Sequence, residues 1–337
     1  MNATLPESII MDRFDTLEVH HEHRCTDRRD RYGIDDDGDG TTDRFSGCHE
    51  WDRLQKFSLC QNTTSNSCGT EVVRYITTYG REGQWTSDIS PYLFMFLDGG
   101  DQRFRYSGAE GGNLVITLMF SSWGEDDSRP VRGELAFNIN NVKFNSNYNN
   151  ESSNDRRHNV DTSSWHSVSI VAAITGHGFG NDPNNCAEFC NHEHRYSMNG
   201  YDITEDHPMT QNSSSNTDQE GCQKTTDQGT VANQLGSWPY GRAGWCAGLD
   251  VKLWIYDITH WINPTGTNEL LYQGLFNGAQ YQETSNNPYI VGTVWIVYEH
   301  NTTSDNSGAF TLYDSSVDNQ GMITAKPEMT YHIPFRT

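Results

Sequence analysis

Basic residues are scarce in this chain. Only 23 lysines and arginines stand against 45 aspartates and glutamates, a formal net charge of -22 over 337 residues. Nucleic-acid binding draws its affinity from Lys and Arg that displace counterions from phosphates, so no nucleic-acid partner is expected. Anionic leaflets repel the same charge, and no apolar run approaches the roughly 20 residues that a bilayer span needs; no membrane association is expected either. A sustained 3.6-residue apolar period is missing, which argues against a helical architecture. The repeated Cys-x-x-Cys spacing of structural zinc sites is absent as well. No apolar signal core follows Met1, so we expect a form from which any signal has been removed.

What the chain does have is an even set of 8 cysteines, at 25, 48, 60, 68, 186, 190, 222 and 246. Disulfides explain such a set, and joining sequence neighbours pairs Cys25 with Cys48, Cys60 with Cys68, Cys186 with Cys190 and Cys222 with Cys246; counting alone leaves many other connectivities open. Bridges of this kind persist in oxidising compartments, so a secreted or periplasmic protein is expected. Runs rich in Val, Ile, Tyr and Trp at 72–79, 114–120, 134–144, 167–175, 251–261 and 289–299 read as strands separated by Gly, Asn, Asp and Ser clusters. An internal echo, Trp85-Thr-Ser-Asp88-Ile89-Ser90 and Trp254-Ile-Tyr-Asp257-Ile258-Thr259, lies half a chain apart and suggests a duplicated plan. We therefore expect an all-β protein of two adjacent antiparallel jelly-roll β-sandwiches. The polar stretch 145–154 marks the boundary, giving one domain over 1–147 with an acidic insertion near 25–48, and a second over 155–337.

Three constellations carry chemistry. Cys186-Ala-Glu188-Phe-Cys190 holds one carboxylate inside a tight ring, and Gly241-Arg242-Ala-Gly-Trp245-Cys246 supplies an Arg and a Trp further on; a constrained acid is useful to a site, although a strained surface loop is the alternative. In Cys48-His-Glu-Trp51-Asp52-Arg53, a Trp and an Arg flank an Asp and can tune it to stay ionised or serve as a base, the alternative being a salt-bridged turn. Asp35, Asp37, Asp39 and Asp43 alternate around Gly40 as hard oxygen donors able to wrap one structural calcium ion. Ser46 stands where an EF-hand would carry its Glu, so the loop resembles the short calcium loops of extracellular repeat proteins. His192-Glu-His194 would present both imidazoles on one side of a strand, as copper or zinc ligands do, yet no third ligand is spaced to join them. His20-His21-Glu-His23 reads as an exposed segment. Asn2, Asn62, Asn150, Asn212 and Asn301 begin N-glycosylation triplets that a chain this rich in Asn, Ser and Thr acquires by chance.

Taken in order, Cys-x-Glu-Trp-Asp-Arg, Cys-Ala-Glu-aromatic-Cys and Arg-Ala-Gly-Trp-Cys resemble the peptide-N-glycosidase F family between about Cys48 and Cys246. The resemblance implies two eight-stranded jelly rolls and an amidohydrolase that cleaves the amide between an Asn side chain and the first N-acetylglucosamine of an N-glycan. It implies that Asp52 is the primary catalytic residue and that Glu188 positions water and sugar. Arg53 and Arg242 would orient the carboxylates and bind polar sugar groups, with Trp245 and Trp123 offering flat faces. This chain departs from the family at Ser121, where the family has a Glu, at His177, where it has a Trp, and at Ala247, where it has a Pro; the implication at Ser121 is a changed substrate binding or pH dependence, unless Glu125 or Asp126 substitutes, and at His177 and Ala247 altered sugar contacts.

The expected partners are N-glycoproteins or glycopeptides, met by a monomer with no catalytic cofactor. A noncatalytic glycan-binding protein on the same scaffold is the alternative, and a copper monooxygenase using His192 and His194 a third reading. From the acidic loop we predict that chelation lowers the thermal midpoint and that added calcium, but not magnesium, restores it; a melting curve indifferent to calcium would contradict the loop reading.

Overall fold

In the computed structural model, the described residues are 2–25, 30–34, 43–45, 48, 51–64, 67–108, 113–122, 128–150, 156–178, 183–184, 186–207, 210, 221–232, 237–284, 286–301, 311–312, 323–324 and 329–336. For 30–34, 43–45, 113, 122 and 301–336 only the backbone is described. The strands of the first half are β1 (Asn2–Glu7), β2 (Thr16–Arg24), β3 (Asp30–Ile34), β4 (Asp43–Phe45), β5 (Leu54–Leu59), β6 (Thr70–Ile76), β7 (Gly83–Asp88), β8 (Gly99–Ser107) and β9 (Asn113–Ser122). Then come β10 (Ser128–Lys143), β11 (Arg157–Asn159), β12 (Ser167–His177), β13 (His192–Met198), β14 (Tyr201–Glu205), β15 (Trp254–Asp257), β16 (Glu269–Phe276) and β17 (Tyr289–Asn301). The chain ends with β18 (Thr311–Leu312), β19 (Ile323–Thr324) and β20 (Met329–Arg336). Helix is confined to short pieces, and none among the described residues is long and apolar enough to cross a membrane.

The protein is all-β, two antiparallel sandwiches side by side. The first stacks the sheet β1-β8-β5-β6 on β20-β9-β2-β7, and the second pairs β11-β16-β13-β14 with β10-β17-β12-β15. Alternating burial along β2, with Leu17, Val19, His21 and His23 inward, is what a sheet with one wet face requires. The two plans superimpose strand for strand: β2, β5, β6, β7, β8 and β9 take the places that β12, β13, β14, β15, β16 and β17 take in the second sandwich.

The internal echo is the visible trace of this duplication. Each copy is an edge strand running into a short 3-10 turn, β7 before Ser90–Phe96 and β15 before Thr259–Trp261. In each the Asp carboxylate accepts the backbone N–H two residues on, Asp88 from Ser90 at 2.9 Å and Asp257 from Thr259 at 2.8 Å. The next hydroxyl accepts from the neighbouring strand, Ser90 from Leu17 N–H and Thr259 from Val168 N–H. Ile89 and Ile258 bury completely beside them. The Asp and Ser/Thr terminate the strand by hydrogen bonding its own backbone.

Strand pairing corrects the expected division at 147 and 155. β10 follows β9 in sequence but pairs with β17, whereas β20, which follows β17, pairs with β9. The two sandwiches thus exchange their last strands, and neither half closes its own sheet; backbone pairing, which no composition shift reports, decides where a strand belongs. A backbone bridge adds to the weld, Val251 N–H to Arg74 C=O at 2.9 Å and Gly248 N–H to Ile76 C=O at 3.1 Å. A small core of Ile76, Tyr79, Ala173, Trp245, Ala247 and Val251 fills the seam. All four disulfides join the sequence neighbours named above.

Arg74 crosses this seam without touching water. Its guanidinium pairs with Glu71 at 2.8 Å and donates to Thr175 Oγ1 and Val291 C=O of the second sandwich, each at 2.7 Å. Burial opposes the charge on Glu71, but Arg74 and Lys56 together hold its carboxyl below the usual range. Glu71 therefore stabilises the fold above the ordinary carboxylate pKa, and that contribution is lost as pH falls through the depressed value. Arg74→Met should cost about 3–5 kcal/mol in urea unfolding at neutral pH by leaving a buried carboxylate behind. The loss should shrink in acid, and Glu71→Gln in the same chain should recover much of it.

Candidate active site

Asp52 comes from the first sandwich and Glu188 from the second, and they meet on one guanidinium. Asp52 precedes β5, where Arg53 is clamped to the end of β6: Thr77 N–H donates to Arg53 C=O at 3.0 Å and Arg53 N–H to Thr77 Oγ1 at 2.7 Å. Thr77 Oγ1 donates in turn to Trp51 C=O. Glu188 sits within the Cys186–Cys190 bridge, its backbone C=O accepting Ala243 N–H at 2.8 Å. The turn carrying Arg242 is held in place by a bridge between Arg242 and Trp245, by Gly176 N–H to Ala243 C=O, and by the Cys222–Cys246 disulfide. Gly244, at φ +79°, is required there, since a Cβ would fall 2.3 Å from the Ile174 carbonyl oxygen.

Arg242 Nε lies 3.2 Å from Glu188 Oε1 and 4.0 Å from Asp52 Oδ2. The Arg242 side chain is 2% exposed, against 19% for Asp52 and 14% for Glu188, so the cation is enclosed while both acids keep an edge to solvent. Tyr79 OH links the halves again, donating to Asp52 Oδ2 at 3.3 Å and accepting from Arg242 Nη2 at 3.4 Å. Glu188 Oε2 accepts the N–H of Gly178, just past β12, at 3.0 Å. Burial raises both carboxyls above their ordinary values: for Asp52 the Arg242 charge and Tyr79 hydroxyl offset it in part, and for Glu188 Arg242 offsets it while the Asp52 charge adds to it. Two acids sharing one cation in a partly dry cleft, both raised above the ordinary carboxylate range, can serve in proton transfer.

The other expected site residues divide. Arg53 belongs to the site through its backbone clamp and acts only weakly on the Asp52 charge. Trp245 and His177 are placed beside Arg242 but serve differently from the expected sugar faces: the Trp245 ring, 7% exposed, lies under the guanidinium at 4.9 Å, stacks on His177 at 5.4 Å and donates Nε1–H to Gly176 C=O. Trp51, 39% exposed beside Asp52, is the aromatic face open to solvent. Ser121 lies elsewhere. It pairs with Thr16 at the start of β2, whereas the far end of β2 leads through Cys25, which donates to Glu82, toward Thr78 and the site. At about 3.4 Å per residue the length of β2 separates them by roughly 27 Å, so the Ser121 departure does not touch the acid pair. Trp123 and the acidic positions Asp35, Asp37 and Asp39 fall outside the described residues, and Asp43 is described by its backbone alone, in the β3–β4 pair.

The sequence reading missed Tyr79, which no local motif marks, and His207. His192, His194 and His207 are all buried and bring one ring nitrogen each within 4.8 Å of the others, so a third imidazole does join the pair. A signal for it exists. Asn199 and Gly200, both at positive φ, make the tight turn between β13 and β14, and the register that sets His194 opposite Glu205 carries position 207 to a place opposite 192.

A double β-sandwich whose halves trade strands and share one arginine between two acids defines a distinct class of fold and site. Within it, residues 147–297 of the chain match the family model described as Peptide-N-glycosidase F, C terminal. No curated protein sequence matches the chain. Among solved structures, PNGase F, a glycosylasparaginase from Flavobacterium meningosepticum, aligns with a TM-score of 0.63 at 15% identity over 90% of this chain and 89% of that one. A peptide-N(4)-(N-acetyl-beta-D-glucosaminyl) asparagine amidase gives 0.61 at 16% identity over 90% of each chain, and PNGF-II gives 0.56 at 13% identity over 90% of this chain and 59% of that chain. At such identities the likeness is one of fold.

The raised carboxyls have a stability consequence. Because the folded protein favours their protonated forms, ionising them costs stability once pH rises past the ordinary carboxylate range, and the cost is absent below it. Glu188→Gln keeps the shape and removes the charge, so its urea midpoint should gain on the parent's between about pH 3 and pH 7. If the parent gains instead, the Arg242 attraction outweighs burial.

Proposed function

We propose that the protein is an amidohydrolase that releases N-linked glycans by hydrolysing the amide between an Asn side chain and the first N-acetylglucosamine. The match of residues 147–297 to that family model supports the reaction class, and one observation carries the assignment of residues: acids from opposite sandwiches share Arg242 at an edge open to solvent. Asp52 takes a proton from the water that attacks the amide carbon. The C–N bond then breaks, leaving Asp on the peptide, and the nitrogen departs with a proton as a glycosylamine, which hydrolyses to sugar and ammonia. Glu188, fixed by Gly178 N–H and Arg242, positions that water and polar sugar groups. Arg242 offsets part of the cost of ionising the buried acid pair, and Trp51 offers the sugar an apolar ring. Substrates are N-glycoproteins or glycopeptides, met outside the cell, which four disulfides suit.

Incubation with a denatured N-glycoprotein, followed by mass spectrometry of vacated sites, should show Asn converted to Asp. Asp52→Asn should lower the rate by about 10²- to 10⁴-fold with an unchanged circular dichroism spectrum, and binding of glycopeptide without release by the parent chain would leave only a glycan-binding role. Since burial raises both acids, the acidic limb of the rate profile should lie above the ordinary carboxylate range.

A further inference from the structure

The three buried imidazoles behind the acid pair have no part in that chemistry. His192 and His194 project from β13 into the second core, and His207 reaches them after the β14 return. The Ala187 backbone carbonyl acts on the His192 ring, yet neither ring nitrogen makes a hydrogen bond of normal geometry. A buried polar atom left so is destabilising, and the surrounding core of Phe144, Tyr196 and Ile290 is largely apolar. His194 and His207 point Nε2 at Nε2 across 3.3 Å. That is the edge of a tetrahedron whose metal–nitrogen bonds are about 2.0–2.1 Å. Tyr272 OH, 2.8 Å from His194 Nδ1, fixes that ring with Nε2 facing inward, as an outer hydrogen bond does for a metal ligand.

We propose that His192, His194 and His207 bind one first-row cation of the zinc class, a structural site within the second sandwich. Three neutral imidazoles with no carboxylate suit such an ion and not calcium or magnesium. Burial holds all three rings well below the ordinary histidine pKa, in the form that ligates. An entry path exists: His207 lines a cleft of about 620 Å³ whose wall carries Glu205, Asp206 and Asp250 against Arg242 and Lys252, with the acids Glu205 and Asp206 adjoining His207 in the chain. Ligation contracts the ring nitrogens from within 4.8 Å of one another toward about 3.3 Å, a small rotation of one imidazole. The bound ion replaces the hydrogen bonds His192 lacks and braces the segment two residues past Cys190, on the ring that carries Glu188.

The test uses the full chain, stripped with chelator and titrated with Zn²⁺ in excess Ca²⁺, with Cu⁺ as a second arm that identifies the preferred ion. One equivalent should bind, the thermal midpoint should rise, and X-ray absorption should show three imidazole nitrogens at about 2.0–2.1 Å. His207→Ala, at the edge of the cleft, should weaken binding by more than about a hundredfold, beyond the loss typical of an outer-shell change; His20→Gln, on the outward face of β2 in the first sandwich, should leave it unchanged. No uptake of either ion by the parent chain at about 100 µM, far above the range of structural zinc, overturns the proposal. So does a shell with fewer than three imidazoles, or uptake undiminished in His207→Ala. Glycan release is not the readout, so failure here leaves the amidase reading intact, and the reverse.

Discussion

The guanidinium of Arg242, sealed from water and shared by Asp52 and Glu188, is the interaction on which the site depends. Removing two carboxylates from water is unfavourable, and a single enclosed cation compensates only if its geometry is fixed. The fold fixes it from beneath by the Trp245 ring, from the side by Tyr79, and along the backbone by the clamp between Gly176, Ala243 and Glu188. Burial, offset only in part by the shared cation and reinforced at Glu188 by the Asp52 charge, is what lifts both carboxyls above their ordinary values.

Such an arrangement needs two halves that do not move against each other. A seam made of surface contacts alone would allow relative motion. Here the last strands are exchanged, Val251 and Gly248 hydrogen-bond to the end of β6, and Arg74 spans the seam from Glu71 to Val291. The Asp52 side of the site hangs from β5 and β6, and the Glu188 side from β12, so each link that stiffens the seam also sets the separation of the acids. The three-histidine cluster lies on the second sandwich's side of this frame, next to the segment that carries Glu188.

Much of the fold was legible before any coordinates. Period-two patterning and the scarcity of helical period gave an all-β chain, and the Trp-x-x-Asp-Ile echo reported a real duplication because Asp88 and Asp257 do the same job of ending an edge strand. The acid ring at Glu188 and the Trp-Asp-Arg triplet at Asp52 were legible because local covalent and sequence-adjacent restraints shape them. Ser121 misled: a short motif match says nothing about position along a strand, and β9 is long enough to carry a residue from one end of the sandwich to the other. Trp245 misled in a second way, since an aromatic beside an arginine reads the same whether its face is open or spent under the guanidinium.

The sequence by itself determined the strand pattern, the strong negative charge and the two candidate acids, because each is set by composition or by residues near one another in the chain. Tertiary structure alone decided that Asp52 and Glu188 share Arg242, that Tyr79 joins them, that β10 and β20 trade places, and that His207 completes a trio with His192 and His194. Those outcomes rest on contacts between residues distant in sequence, whose energies depend on burial and on separations of a few ångströms, and neither quantity exists until the sheets have packed.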